Sequence, residues 1–376
     1  MSAEMYFIVA MLAVFSVFGC AGNAVVLYVF STTKDDLVST LFIIVLAVVD
    51  FSTCLVIIPF TVAVELVSYN VRFDALCKLY QFLITSNIPF SAMIMTAIAF
   101  DRYVCICFPF SRLLTLRRAR FVVLVLAAFA AVLGITGALT HSVYQRVREV
   151  INSTHHDIAT LSLPVDWQNR SDDAVYTGYC YPTDLILNSQ FAQAFQRCYT
   201  AIFVVCLGVV VILYSLIYRS VLRQRRKRQQ MKARPSTTRS TATQQRSIDD
   251  SKLPARQGGS SSVSVSQAAI VDLSNDKGRS SSERRSEAVV LDPTAAAAEV
   301  ARRNRIANIK TAAMLFVVTL VFTVCFFPAL AMTVYILPYD ITVFYMYFAN
   351  NVANPIIYSF MNTNFRKRLA GLFCKT

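Results

Sequence analysis

Apolar residues gather along this chain into seven long runs separated by polar stretches. The runs lie near Met5–Phe30, Val38–Val67, Leu76–Cys107, Phe121–Val143, Arg197–Val221, Ile306–Ile336 and Ile341–Met361. A helix that crosses the hydrocarbon of a bilayer needs about 20 mostly apolar residues, and each run is long enough. The third run carries Gln81, Thr85, Ser86, Asn87 and Ser91, and the seventh carries Asn350, Asn351 and Asn354. Polar side chains within a span face the interior of a bundle rather than lipid, so these two helices are expected at its centre. The pattern predicts an all-α membrane protein, a seven-transmembrane helix bundle. Its first five helices occupy residues 1–222, with a long outer loop at 144–196, and helices six and seven occupy 301–361. Between them, residues 223–300 are rich in Ser, Thr, Arg and Gln and lack the apolar content to fold alone. The basic ends of that stretch, Arg223–Arg228 and Arg302–Arg305, are expected to extend spans five and six as helices over anionic lipid.

Composition agrees with the pattern. Of 376 residues, 56% are hydrophobic and 15% are charged, against roughly 45–50% and 25% in soluble domains. That apolar excess rules out a disordered chain, and ten cysteines over this length are too sparse for a secreted disulfide scaffold. The net charge of +14 would by itself suggest nucleic-acid binding. Its distribution says otherwise. The side holding the loops after spans one, three and five and the C-terminus carries 30 of the 36 Lys and Arg. The opposite side holds only Arg72, Lys78, Arg146, Arg148, Arg170 and Arg197 against ten acidic residues. Basic loops stay in the cytoplasm, so the N-terminus is expected outside and the C-terminus inside, and the charge is a topology signal. The first run is 26 residues long and reads as a retained signal anchor rather than a cleaved signal. The outer loop holds the sequons Asn152-Ser153-Thr154 and Asn169-Arg170-Ser171, expected as glycosylation sites.

Several polar residues sit where hydrocarbon should exclude them. Asp50, within Leu46-Ala47-Val48-Val49-Asp50, lies mid-span in the second run. A carboxyl at that depth is either protonated and bonded to neighbouring helices or part of a cation or proton site. Asp101-Arg102-Tyr103 closes the third span at its cytoplasmic end, as a plain interfacial ion pair or as a switch beside a docking surface. Cys325-Phe326-Phe327-Pro328 and Asn354-Pro355-Ile356-Ile357-Tyr358 put proline kinks into spans six and seven. Asn350, Asn354 and Tyr358 fall four apart on one helical face, where they can satisfy freed carbonyls. A kinked helix can also swing as a lever.

Taken together and in chain order, these elements resemble the rhodopsin-like, class A, G-protein-coupled receptors, over all seven spans. Gly22-Asn23, Leu46-Ala47-x-x-Asp50, Asp101-Arg102-Tyr103 and Asn354-Pro355-x-x-Tyr358 match the family's motifs. Cys77 lies 25 residues before Arg102, where the family keeps a disulfide cysteine, and Cys180 is its implied partner. The resemblance implies a receptor and not an enzyme, with a heterotrimeric G protein, arrestin and a receptor kinase as partners. It assigns an activation switch to Asp101, Arg102, Tyr103, Tyr214, Phe322, Phe326, Pro328, Asn354, Pro355 and Tyr358. It assigns an allosteric sodium pocket to Asp50, Ser91, Asn350 and Asn354. Departures stand beside the matches. The only Trp is Trp167 in the outer loop, Cys206 stands where span five usually has proline, Cys206 and Ala92 depart from the usual core triad with Phe322, and the aromatic toggle is Phe326 rather than Trp. The tail at 362–376 has Phe365, Leu369, Leu372 and Phe373 at helical spacing with cations between, an amphipathic eighth helix on the inner leaflet. Cys374 follows, either palmitoylated or a free thiol.

The ligand is the least determined part. Amine receptors of the family place an Asp 18 residues before the motif Arg, and that position here is Ile84. Opsins need a Lys in span seven, and residues 341–361 hold none. The favoured ligand is a peptide, contacted by Glu65, Gln81, Ile84 and Thr85 near the outer mouth and by Phe326, Thr333, Phe344 and Phe348 at the base. Biogenic amines and other small molecules are the alternative within the family. An ion channel or transporter using Asp50 is the alternative outside it, opposed by the lack of an inverted repeat.

Overall fold

The computed structural model describes residues 3–32, 37–108, 114–147, 173–233 and 293–373. The sequons at Asn152 and Asn169, and Cys374, lie outside the described residues. The helices are α1 (Ala3–Ser31), α2 (Val38–Leu66), α3 (Asp74–Cys107), α4 (Leu116–Leu139), α5 (Ser189–Ala233) and α6 (Pro293–Thr333). Helix α7, residues 341–361, joins Ile341–Tyr345, a 3-10 turn at Met346–Phe348 and Ala349–Met361. A short α8 (Thr363–Phe373) follows. Six of these helices contain stretches long and apolar enough to cross a membrane. Most of the Ser- and Arg-rich stretch at 223–300, residues 234–292, lies outside the described residues.

The helices are apolar outside as well as inside. Phe7, Phe18, Phe121, Leu124, Val205 and Ile212 are all exposed. A helix that is hydrophobic all round suits hydrocarbon and not water. The inner faces of α1, α2, α3, α6 and α7 meet in one core that includes Leu12, Leu46, Ile94, Met314, Phe326 and Tyr358.

Two local features aim the functional residues. Pro59 lacks an N–H and its ring collides with the preceding turn, and the chain answers with a wide π-helical turn at Thr53–Ile57. The Cys54 carbonyl within that turn accepts a hydrogen bond from Ser16 Oγ of α1 at 2.8 Å. Against α3, helix α4 presents Gly134 and Gly137. A Cβ on Gly137 would lie 2.6 Å from Thr85 Oγ1, and one on Gly134 would lie 2.8 Å from Phe82 and Ser86. The glycines thus let the two helices close to near contact beside Thr85.

Three span boundaries differ from expectation. The fourth helix ends at Leu139 rather than running to Val143, because Thr140 turns the chain, its Oγ1 donating to the Gly137 carbonyl at 2.8 Å. His141–Arg146 then forms β1, which pairs antiparallel with β2 (Ala174–Pro182), from His141 opposite Pro182 to Arg146 opposite Ala174. The sequence pattern reads this region as span end and loop and predicts no hairpin. Helix α5 begins at Ser189 rather than Arg197, its first turn held by Asn188 Oδ1, which accepts from the Phe191 N–H at 2.7 Å. Helix α6 stops at Thr333 rather than Ile336, and Tyr335 beyond it takes a left-handed backbone (φ 60°).

Candidate functional site

The helix ends on the side of the β1–β2 hairpin enclose a cavity of about 510 Å³, within the range of pockets that bury small ligands or peptide ends. Helix α3 contributes Gln81, Ile84, Thr85 and Ile88. Facing them are Gln193, Tyr199 and Phe203 of α5, Phe326, Leu330 and Thr333 of α6, and Phe344 and Tyr347 of α7. The Cys77–Cys180 disulfide ties β2 to α3, and the hairpin base adds His141 and Pro182 to the wall. Burial holds the His141 imidazole below its ordinary range, and its bond to the Gly137 carbonyl opposes that only in part. No Asp, Glu, Lys or Arg is among the described lining residues. Carboxamides, hydroxyls and the His141 imidazole supply the polarity. A buried charge without a partner costs several kcal/mol on the order of a lost ion pair, so the cavity suits an uncharged group.

The structure brings Gln81, Ile84, Thr85, Phe326, Thr333 and Phe344 together around this space. Glu65 and Phe348 are not among its lining residues. Glu65 is buried, and its Oε1 accepts hydrogen bonds from Tyr69 Oη at 2.7 Å and from Tyr345 Oη of α7. Tyr69 is held in a left-handed backbone (φ 60°), and its carbonyl accepts from the Cys180 N–H at 2.9 Å. Phe348 lies behind the wall, against Tyr347 with ring centroids 4.3 Å apart.

The cavity floor continues into the core through aromatic rings. Phe326 stacks on Tyr347 at 5.3 Å, meets Phe322 at 4.4 Å and Phe203 at 5.4 Å. Cys206, Ala92 and Phe322 surround a void of only about 10 Å³ below it. Deeper still, Asn354 Nδ2 donates to Asp50 Oδ2 at 2.7 Å. Asn23 Nδ2 donates to the Gly19 and Asn351 carbonyls at 2.9 and 2.8 Å. Asp50 Oδ1, Asn350 Oδ1 and Asn354 Oδ1 are buried without hydrogen-bond partners, and Ser91 is buried as well. Unpartnered carboxyl and carbonyl oxygens are the donors a hard cation takes, so the residues fit a sodium ion.

At the other end of α3, Arg102 Nε donates to Asp101 Oδ2 at 2.9 Å, and the guanidinium makes a second contact to the same oxygen. The two residues are only 4% and 2% exposed, so this is a buried pair rather than an exposed one. Tyr214 of α5 is buried, its hydroxyl accepting from Thr319 Oγ1 of α6 at 3.5 Å. Tyr358 Oη is buried with no partner. Tyr103 stacks edge-on against Phe108.

The family profile described as 7 transmembrane receptor (rhodopsin family) matches residues 22–358. The chain belongs to that family. The receptor is 27% identical to rat (Rattus norvegicus) neuropeptide FF receptor 1 over 206 residues, which is 53% of this chain and 43% of that one. It is 32% identical to the octopressin receptor of Octopus vulgaris over 113 residues, 30% of this chain and 27% of that one. The chain thus spans under half the length of these curated relatives. The crystal structure of squid rhodopsin superposes with a TM-score of 0.64 at 18% identity, covering 99% of this chain and 86% of that one, which establishes the shared seven-helix fold of a multi-pass membrane protein.

Sequence reasoning missed several wall residues of the receptor: His141, Gln193, Tyr199, Phe203 and Tyr347. The sequence places Gln193 in the outer loop because the fifth apolar run begins near Arg197. The cap signal Asn188-Ser189 would have recovered it.

Proposed function

We propose that this receptor lies in the plasma membrane with its N-terminus outside, binds an extracellular peptide and activates a heterotrimeric G protein. One observation carries the reading. Phe326 both lines the outer cavity and packs on Phe322, two residues before the Pro328 kink of α6. A ligand seated in the cavity therefore touches the helix whose swing would open the cytoplasmic side. The names of the neuropeptide FF and octopressin receptors support a peptide. The uncharged lining favours a peptide segment without charge at its deepest point, and it disfavours a small amine, whose ammonium would find no carboxylate there.

The mechanism follows from the contacts. Agonist displaces Phe326 from its stack on Tyr347, and α6 turns about Pro328. That motion separates Thr319 from Tyr214, Arg102 leaves Asp101, and a cleft opens that Tyr214 and Tyr358 line for the G-protein α-subunit. Only a ligand with higher affinity for the open state can drive the shift. Asp50, Ser91, Asn350 and Asn354 would hold a sodium ion, whose positive charge would satisfy the buried oxygens of the closed state. Arrestin and a receptor kinase would act on the same cytoplasmic face. Asn152 and Asn169 are the proposed glycosylation sites, and Cys374 the proposed palmitoylation site beside α8 on the inner leaflet.

The test is a screen of neuropeptides and amines on cells expressing the receptor, read by G-protein nucleotide exchange. A peptide should activate the wild type and fail on Arg102→Ala at equal surface expression. Activation by an amine alone would refute the peptide reading, and full exchange by Arg102→Ala would refute the lever.

A further inference from the structure

The outer cavity is continuous with a larger cleft between the outer ends of α5 and α6. That cleft measures about 1360 Å³ and shares Gln193, Gln196, Thr200, Thr333 and Phe344 with the cavity. Below Arg197 its α5 wall runs down to Val204. Seven residues separate these two, roughly 10 Å of helix. Val204 is half exposed and lies inside the apolar run that begins just after Arg197. The lower part of the cleft therefore faces the hydrocarbon of the outer leaflet, and the upper part lies at the level of the headgroups.

Arg197 is the only Lys, Arg, Asp or Glu among the described residues lining the cleft. It is exposed and has no ion-pair partner among the described residues. Asp340, which follows the cleft residue Tyr339, is engaged at the start of α7, where its Oδ1 accepts from the Val343 N–H at 2.9 Å. Across from Arg197 the α6 side ends in Tyr335, Ile336 and Leu337, all exposed. Tyr335 is 95% exposed and holds a left-handed backbone (φ 60°) that glycine adopts freely and tyrosine does not. A strained, exposed aromatic rim is kept where a plain helix cap would take glycine, and such outliers gather at binding sites.

Candidate occupants can be sorted by chemistry. A peptide strand laid along Val204 would carry unsatisfied amide groups into hydrocarbon. A neutral lipid would leave Arg197 without an anion. An amphiphile with one anionic head and an apolar tail satisfies both ends. We propose that this cleft is a second binding site, for a long-chain fatty acid whose carboxylate pairs with Arg197 and whose tail lies along Ala201, Val204 and Met332. Guanidinium and carboxylate match in charge and in fork geometry, and the chain length from head to Val204 is that of the upper half of an acyl tail.

The full-length receptor in phosphatidylcholine nanodiscs is titrated with radiolabelled oleate. Wild type should bind it saturably, with oleyl alcohol a poor competitor. Arg197→Gln should weaken binding at least about tenfold, as the loss of a charged hydrogen-bond partner does, and Arg197→Lys should restore most of it. Val204→Trp, which fills the lower cleft and keeps the cation, should also weaken binding. Gln81→Ala, in the cavity alone, should leave it unchanged. Absence of saturable binding, equal affinity for Arg197→Gln, or equal competition by oleyl alcohol overturns the proposal. Loss with Gln81→Ala and not with Val204→Trp does so too, because it moves the oleate into the cavity. The measurement uses neither agonist nor G protein, so its failure leaves the peptide reading untouched.

Discussion

Asp101→Asn removes one charge from a pair that is almost fully buried at the inner end of α3. In the closed arrangement Arg102 directs both Nε and a terminal nitrogen to Asp101 Oδ2. Asparagine keeps one acceptor oxygen, so the loss is that of a charge-assisted hydrogen bond, roughly 1.5–3 kcal/mol, rather than the ~3–5 kcal/mol of a fully orphaned buried charge. In the open arrangement proposed above, Arg102 would face the cytoplasmic cleft and would not use Asp101. The loss therefore falls on the closed state alone. It shifts the closed-to-open ratio toward open by about 10- to 150-fold, at tenfold per 1.4 kcal/mol. The assay is agonist-free nucleotide exchange on a purified heterotrimer, normalised to folded receptor. Basal exchange should rise until the open state saturates. An unchanged or lower basal rate in folded, normally expressed protein refutes the idea that this pair holds the closed state.

Two further outcomes follow from the core and the outer rim. Asp50→Asn should abolish the difference in melting temperature between sodium chloride and choline chloride, and a sodium effect that persists would exclude Asp50 from the ion site. Glu65→Ala should melt well below Glu65→Gln, because alanine leaves the hydroxyls of Tyr69 and Tyr345 without their acceptor, a cost of ~1–3 kcal/mol, while glutamine retains an oxygen; equal melting of the two would show that these bonds contribute nothing.

The spans were legible because hydrocarbon imposes a single demand over some 20 consecutive residues, and a run of that length cannot hide. The polar residues within them were legible for the same reason: Asp50, Asn350 and Asn354 stand out against apolar neighbours, all three are buried, and Asn354 donates to Asp50. The outer rim was much less readable. Glu65 reads as a ligand contact, yet its direction depends on Tyr69, four residues on, and on Tyr345 in another helix, and neither dependence leaves a periodic trace. The hairpin was hidden because Gly178, at φ 75°, and the irregular register between Ser142 and Tyr144 break the strict alternation that marks a strand. The start of α5 was hidden by Gln193, Gln196 and Arg197, which are polar because they face a cleft rather than because they form a loop.

The wide turn at Thr53–Ile57 has a consequence for how α2 can vary. A single residue added to a helix rotates everything beyond it by about 100°, so the turn acts as a phase offset between two halves of one rod. Asp50, below it, keeps its azimuth toward Asn354. Glu65, above it, takes a different azimuth, toward Tyr345. Pro59 and the Ser16 hydrogen bond to Cys54 set that offset. The outer half of α2 can thus be re-indexed, and with it the wall that meets a ligand, while the inner half stays aimed at the core.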